Sequence, residues 1–154
     1  MRAVVTRVSS ASVTIDGQVV GKIGKGFLIL LGVGPEDGEA QCRRLAEKAL
    51  GLLIFTDEND KMNLGLEQVG GQVLVVSQFT LYGNCRKGRR PSFVEAAPPQ
   101  LGEAMYERFL QLCQEMGFPP QHGQFGADMK VESVNDGPVT ILLDTDQLMD
   151  TPRR

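Results

Sequence analysis

The sequence predicts a single α/β domain in which a mixed, curved β-sheet is packed by two main helices. Three observations lead there. Strand-length β-branched and apolar segments fill the first third of the chain and return near its end. Two longer segments repeat their apolar residues at helical spacing. Neighbouring strands joined by hairpin signals make the sheet mixed rather than purely parallel. With 154 residues, 42% of them hydrophobic and 23% charged, the chain has the material for one core. Residues 1–150 form the expected domain, and 151–154, which have little to bury, the expected disordered tail.

Taken in order, residues 3–8 and 11–15 read as strands, being β-branched and partly alternating. Asp16-Gly17 signals a hairpin into residues 18–23. Residues 27–33 are apolar throughout, as a strand covered on both faces should be. Residues 36–53 read as a helix with Cys42, Leu45, Ala46, Ala49, Leu50 and Leu53 in one buried stripe. Residues 55–71 read as a loop, rich in Asp and Asn and closed by paired glycines. The next strand is 72–81, followed by a polar, basic loop to 99. The second helix, 100–116, turns Met105, Phe109, Leu112, Cys113 and Met116 inward, and Gly117 and Pro119-Pro120 stop it. Two closing strands, 130–134 and 139–144, flank a turn at Asn135-Asp136-Gly137-Pro138.

The formal net charge is −3 and the pI about 5.2. A protein that binds nucleic acid by phosphate attraction alone is usually basic, so any such binding here needs a local patch. No apolar run approaches the roughly 20 residues that cross a bilayer. The first residues return to charge, at Arg2 and Arg7, too soon for a signal peptide. Three cysteines do not suggest a disulfide framework. The expected compartment is the cytoplasm, with no membrane association. Cys42 and Cys113 fall on the helical stripes and read as inert core. Cys85 sits beside Arg86 and Lys87, with no partner identifiable. One histidine and no close cysteine pair give no reason to expect a metal or another cofactor.

The chemistry concentrates in two places. In Val73-Leu74-Val75-Val76-Ser77-Gln78-Phe79-Thr80-Leu81 the first half is apolar on both faces, and alternation puts Ser77 and Phe79 on one face, Gln78 and Thr80 on the other. Polar side chains at the end of a buried strand need partners. Ligands also gather at the carboxyl ends of strands. Spacing alone leaves both readings open, a tie for neighbouring loops or a binding site. Gly137-Pro138 reads locally as an ordinary turn with Pro at a strand start.

Together these segments, with the opening Met1-Arg2-Ala3-Val4-Val5-Thr6-Arg7-Val8 and Gly123-Gln124-Phe125-Gly126-Ala127-Asp128-Met129, closely resemble the D-aminoacyl-tRNA deacylase family over the whole chain. The resemblance implies that family's fold and a homodimer that hydrolyses the ester between a D-amino acid, or glycine mischarged on tRNA-Ala, and the terminal adenosine of tRNA. It implies a cis Gly137-Pro138 peptide entering the partner subunit's pocket, where main-chain carbonyls meet the substrate's amino group and exclude an L side chain, with Arg7 orienting that motif. It implies that Ser77, Gln78, Phe79 and Thr80 line the pocket, and that Phe125 and Met129 lie beside the adenosine.

A hydroxyl nucleophile needs a neighbouring base. Thr80 is the obvious candidate, yet the only histidine, His122, falls in a Pro- and Gly-flanked loop, and no Ser-His-Asp set is visible. The preferred route is assistance by the ribose 2′-hydroxyl, with Thr80 as nucleophile the alternative. Arg86, Lys87, Arg89 and Arg90 place four of the chain's 16 basic residues within five positions, which suits contact with acceptor-stem phosphates. A non-catalytic module that binds the tRNA acceptor end is the competing reading. A small-molecule esterase would need a protein-borne nucleophile and base that the sequence does not offer.

Overall fold

The long first strand is the spine of the molecule. In the computed structural model, which describes residues 1–149, β1 (Arg2–Ile15) is continuous where two strands were expected. One edge pairs antiparallel with β2 (Gln18–Ile23) through residues 11–15 and with β3 (Gly26–Gly32) through residues 2–8. Its apolar residues face opposite sides in turn, so one strand can serve two cores.

Helix α1 (Glu39–Leu50) is shorter than its apolar pattern suggested. Residues 34–37 form a turn instead, in which the Asp37 carboxylate accepts the Gly34 N–H at 2.6 Å. The helix starts after Gly38, whose N–H donates to Gln41 Oε1 at 2.9 Å, and it ends at Gly51. Leu53 therefore leaves the expected stripe and is 51% exposed. The segment expected to be loop contains a small hairpin, β4 (Phe55–Thr56) with β5 (Met62–Leu64), and one turn of helix, α2 (Leu66–Val69).

Strand β6 (Gln72–Ser77) then joins β3 in parallel. Helix α3 (Pro99–Glu115) follows. The short strand β7 (Gln121–His122) pairs parallel with β6, which places His122 in a strand rather than a loop. Strand β8 (Lys130–Asp144) runs antiparallel along the whole second edge of β1, and α4 (Thr145–Leu148) closes the described chain. The two closing strands are thus one strand, and residues 135–138 are not a hairpin turn. The sheet curls until β7 approaches β2, where the Lys22 N–H points at Gln121 Oε1 at 3.4 Å. This is the mixed, curved sheet with two main helices that the pattern predicted.

Each face of the sheet has its own core. Phe27, Ile29, Leu31, Val73 and Val75 point to the side covered by α1 and α3, where they meet Leu45, Phe109 and Leu112. Leu28, Leu74 and Val76 point into the curl with Val8, Val13 and Ile23. Residues 27–32 are apolar on both faces because both are covered. Across the two helices, Arg108 donates to Glu39 at 2.8 Å and to Glu115 at 3.1 Å, holding the Glu39 carboxyl below its usual range. No helix among the described residues is long and apolar enough to cross a membrane.

Cys42 and Cys113 lie inside the first core, and burial pushes both thiols up to about 12. Cys85 is exposed. Iodoacetamide at pH 8 is therefore expected to add once to the native protein, at Cys85, and three times after denaturation. Intact mass and peptide mapping read this directly, and native modification of Cys42 or Cys113 would contradict the packing.

Candidate active site

The pairing of β6 with β3 ends at Ser77, opposite Leu31, and the next amide, Gln78 N–H, donates to the Leu31 carbonyl at 2.7 Å. The chain then tightens into a 3₁₀ turn, Phe79–Tyr82. The strand expected to reach Leu81 thus stops at Ser77, and the expected alternation fails beyond it. The cause is tertiary. Arg2 Nη1 donates to the Leu81 carbonyl at 2.8 Å, its guanidinium lies 4.3 Å from the centre of the Tyr82 ring, and its Nε donates to Asp144 at 3.1 Å. Nothing near position 80 in the sequence announces a clamp from Arg2.

A 3₁₀ turn bonds each N–H to the carbonyl three residues back, so its first amides have no acceptor inside it. Here those are Phe79 and Thr80, since Leu81 N–H is taken by the Gln78 carbonyl at 3.2 Å. Among the side chains, Gln78 Nε2 donates to Thr80 Oγ1. Thr80 therefore pairs with an amide and not with a base. His122 keeps its Nδ1 2.7 Å from the Gly123 carbonyl and takes no part in this cluster.

Ser77, Gln78 and Phe79, but not Thr80, which was expected to line the pocket with them, open onto a cavity of about 560 Å³ at the carboxyl end of β6. Ser77, Gln78 and Phe79 form one wall, Phe125 and Met129 the other, and Phe93 stands at the rim. Two glycines outside the lining give the side chains of that second wall room to pack. A Cβ on Gly102 of α3 would come within 3.1 Å of the Phe125 ring, and one on Gly123 would collide with Met129 Sδ. Phe125 leans on Tyr106, ring centres 6.0 Å apart, and Tyr106 itself donates to the Val75 carbonyl at 3.1 Å. Among the described residues no group of three or more His, Cys, Asp and Glu converges as a metal site would require.

Arg7, Gly137 and Pro138 lie elsewhere. Thr6 pairs with Thr140 and Val8 with Asn135, so Arg7 alone faces residues 136–139, which leave the ladder as a wide bulge. The Arg7 side chain is buried. It donates from Nε to the Asp136 carbonyl at 2.8 Å and from Nη1 to the Ile54 carbonyl at 2.7 Å and Thr56 Oγ1 at 3.3 Å. Asn135 closes the bulge from within, accepting the Val139 N–H at 2.8 Å and donating to Thr140 Oγ1 at 3.0 Å. Gly137 has φ of +136°, a conformation that favours glycine, and a Cβ there would lie 2.8 Å from Val139 and 2.9 Å from Arg7. The Gly137–Pro138 peptide is cis, and both residues are exposed. Neither lines the cavity. Asn135 was read only as the first residue of a turn, and its role in closing the bulge was not expected.

The basic residues form a third location. Arg86, Lys87 and Arg90 line, with Asn84 and Ser92, a depression of about 290 Å³, while Arg89 lies outside it.

A family model described as D-Tyr-tRNA(Tyr) deacylase matches residues 4–144. The chain belongs to the D-aminoacyl-tRNA deacylase family. Among its relatives, a D-aminoacyl-tRNA deacylase of Thermotoga petrophila is 57% identical over 148 residues, covering 96% of this chain and 99% of the relative. One of Geobacter sulfurreducens is 57% identical over 145 residues, covering 94% and 95%. A solved structure described as a c-Myc DNA unwinding element binding protein superposes with a TM-score of 0.88 at 39% identity, covering 94% of this chain and 98% of that one. A probable eukaryotic D-amino acid tRNA deacylase, 20% identical with a TM-score of 0.76 over 92% and 97% of the two chains, shares the fold. Strand β6, the cavity's far wall and the β8 bulge all fall inside the family match.

The bulge depends on Arg7 for its shape. Arg7→Ala would leave the buried Ile54 carbonyl without its donor and is expected to cost about 1–3 kcal/mol, with faster hydrogen exchange at Val139. Gly137→Ala is expected to cost about 1–3 kcal/mol through backbone strain. Denaturant unfolding and amide exchange measure both, and a Gly137→Ala protein of unchanged stability would contradict the geometry.

Proposed function

We propose that this chain hydrolyses the ester joining a D-amino acid, or glycine mischarged on tRNA-Ala, to the 3′-terminal adenosine of tRNA, acting in the cytoplasm as a homodimer. The observation that carries the reading is the convergence, in a member of this family, of Ser77, Gln78 and Phe79 with Phe125 and Met129 around one cavity. Phe125 and Met129 hold the adenosine. The amides of Phe79 and Thr80 face the ester carbonyl. The partner's Gly137 and Pro138 enter the cavity from outside, meet the substrate's amino group with their carbonyls and leave no room for an L side chain. Three facts support that crossing: the two residues do not line their own chain's cavity, they are exposed, and Arg7 holds their bulge in a fixed shape. Among the described residues β8 also has no partner on its outer edge, a feature sheets usually cover or blunt. Arg86, Lys87, Arg89 and Arg90 take phosphates of the acceptor end.

The reaction asks little of side chains. Water adds its oxygen to the ester carbonyl carbon, the bond to the ribose 3′ oxygen breaks, and the proton passes to that oxygen, freeing the amino acid and the tRNA. The neighbouring 2′-hydroxyl assists, and backbone amides meet the charge that develops on the carbonyl oxygen. Oriented amides of this kind are worth roughly 10²–10³ in rate each, and fixed positioning up to ~7–11 kcal/mol. Thr80, bonded to the Gln78 amide with no base beside it, serves as scaffold.

D-tyrosyl-tRNA is expected to be hydrolysed at catalytic protein concentration while L-tyrosyl-tRNA survives. Equal turnover of both would defeat the chiral reading, and tight binding without turnover would favour a non-catalytic acceptor-end module. Thr80→Ala is expected to keep activity within about tenfold of wild type, whereas a terminal 2′-deoxyadenosine should cost 10²-fold or more, judged by the usual size of one general acid–base contribution. Single-turnover rates decide: a dead but folded Thr80→Ala with an active 2′-deoxy substrate would return the nucleophile to Thr80.

A further inference from the structure

We propose that Phe79 and Phe93 form a stacking site for one unpaired nucleobase, the base next to the terminal adenosine, an inference that rests on the deacylase reading of the cavity. The sequence, with no Trp and only two Tyr, suggested no exposed aromatic platform. The structure assembles one from residues 14 positions apart in the chain. Phe79 is 57% and Phe93 38% exposed, and their rings meet edge to face, 5.1 Å between centres at 73°. In that arrangement the ring giving its edge has its own faces uncovered by the other, and both rings line the cavity while staying part-exposed rather than joining a core.

The seat of Phe93 is built. Asn84 and Ser92 exchange two backbone hydrogen bonds, at 2.7 and 2.8 Å, which fix the residue just before Phe93. Gly83 makes room for the ring, since a Cβ there would sit 3.1 Å from Phe93 Cε1. The same Asn84–Ser92 bridge forms the neck of the basic loop. Among the described residues none of Arg86, Lys87, Arg89 and Arg90 has an acidic partner within ion-pair distance. Three surfaces therefore follow one another: the cavity for the terminal nucleoside, an open aromatic pair, and a cluster of uncompensated cations. A single strand presents its end nucleoside, its next base and its phosphates in that succession. Proteins that hold single strands combine aromatic stacking with a basic track in the same way.

The occupant is a base and not simply a phosphate, so the test varies the base alone. D-tyrosine esterified to adenosine, to the dinucleotide CpA, and to the same dinucleotide with an abasic sugar in place of cytidine are compared by kcat/KM. In the wild type CpA is expected to exceed the abasic dinucleotide by roughly 5- to 100-fold, the range of one stacked base. Phe93→Ala should bring that ratio close to one, and Phe93→Trp should restore it. A merely structural role for Phe93 would lower all three substrates together and leave the ratio standing, which overturns the proposal. So does a wild-type ratio of one, the result expected if a second copy of the chain covers the aromatic pair. Failure of the underlying reading looks different, because then no D-ester, tRNA-borne or short, is turned over at all, and the inference falls with it.

Discussion

A single buried guanidinium ties together the parts of this molecule that the chain keeps apart. Burying a charge is costly unless its hydrogen bonds are supplied, and an Arg left without them would unravel its surroundings. Arg7 finds them in the segment after α1, through Ile54 and Thr56, and in the bulge of β8, through Asp136. Because it sits mid-strand in β1, between two registers of the same β8 partner, it also decides where the ladder opens. The protrusion of Gly137 and Pro138 is therefore a consequence of how one side chain is satisfied. Asn135 completes the arrangement from the other side of the bulge.

The cavity has a comparable logic, in which carbonyls and amides are allotted before side chains matter. The Leu31 carbonyl takes the amide of Gln78, Arg2 takes the carbonyl of Leu81, and the turn between them is left with two amides, of Phe79 and Thr80, that have no backbone acceptor. On the opposite wall, the missing side chains of Gly102 and Gly123 leave room for Phe125 and Met129 to pack. The cavity is thus walled largely by apolar side chains beside a turn with two unpaired backbone amides, and it contains no recognisable nucleophile–base pair. A backbone-built site also suits a substrate able to bring a hydroxyl of its own.

Most of the fold was legible because burial writes itself into sequence: alternation in β1, double-sided apolarity in β3 and β6, helical stripes in α1 and α3. What stayed hidden depended on partners distant in the chain. Residues 79–82 look like strand until Arg2 clamps them. Residues 135–138 look like a hairpin turn until both flanking segments prove to follow the same edge of β1. Two-residue β7 exists only because β6 offers it an edge. Leu53 fits a helical stripe, yet Gly51 ends the helix before reaching it. Of the site, the 77–80 and 137–138 segments were visible as motifs. Asn135 and Gly123 were visible only as members of the 135–138 and 123–129 segments, and Gly102 and Phe93 not at all, since each acts by what it touches across the fold.

The pairing of β1 with β8 has a kinetic meaning as well. Val5 meets Ile141, and the whole of β1 meets the last long strand of the described chain. Contacts between such distant positions carry the entropy of closing nearly the entire chain into a loop, and proteins rich in them fold slowly. Until β8 arrives, β1 offers an unpaired edge of the kind that recruits foreign strands. The register that aims Gly137 and Pro138 is set only when that edge is taken. The element proposed to read chirality thus depends on the most sequence-distant pairing of the sheet, while the β3–β6 pairing beside the cavity spans a shorter stretch of chain.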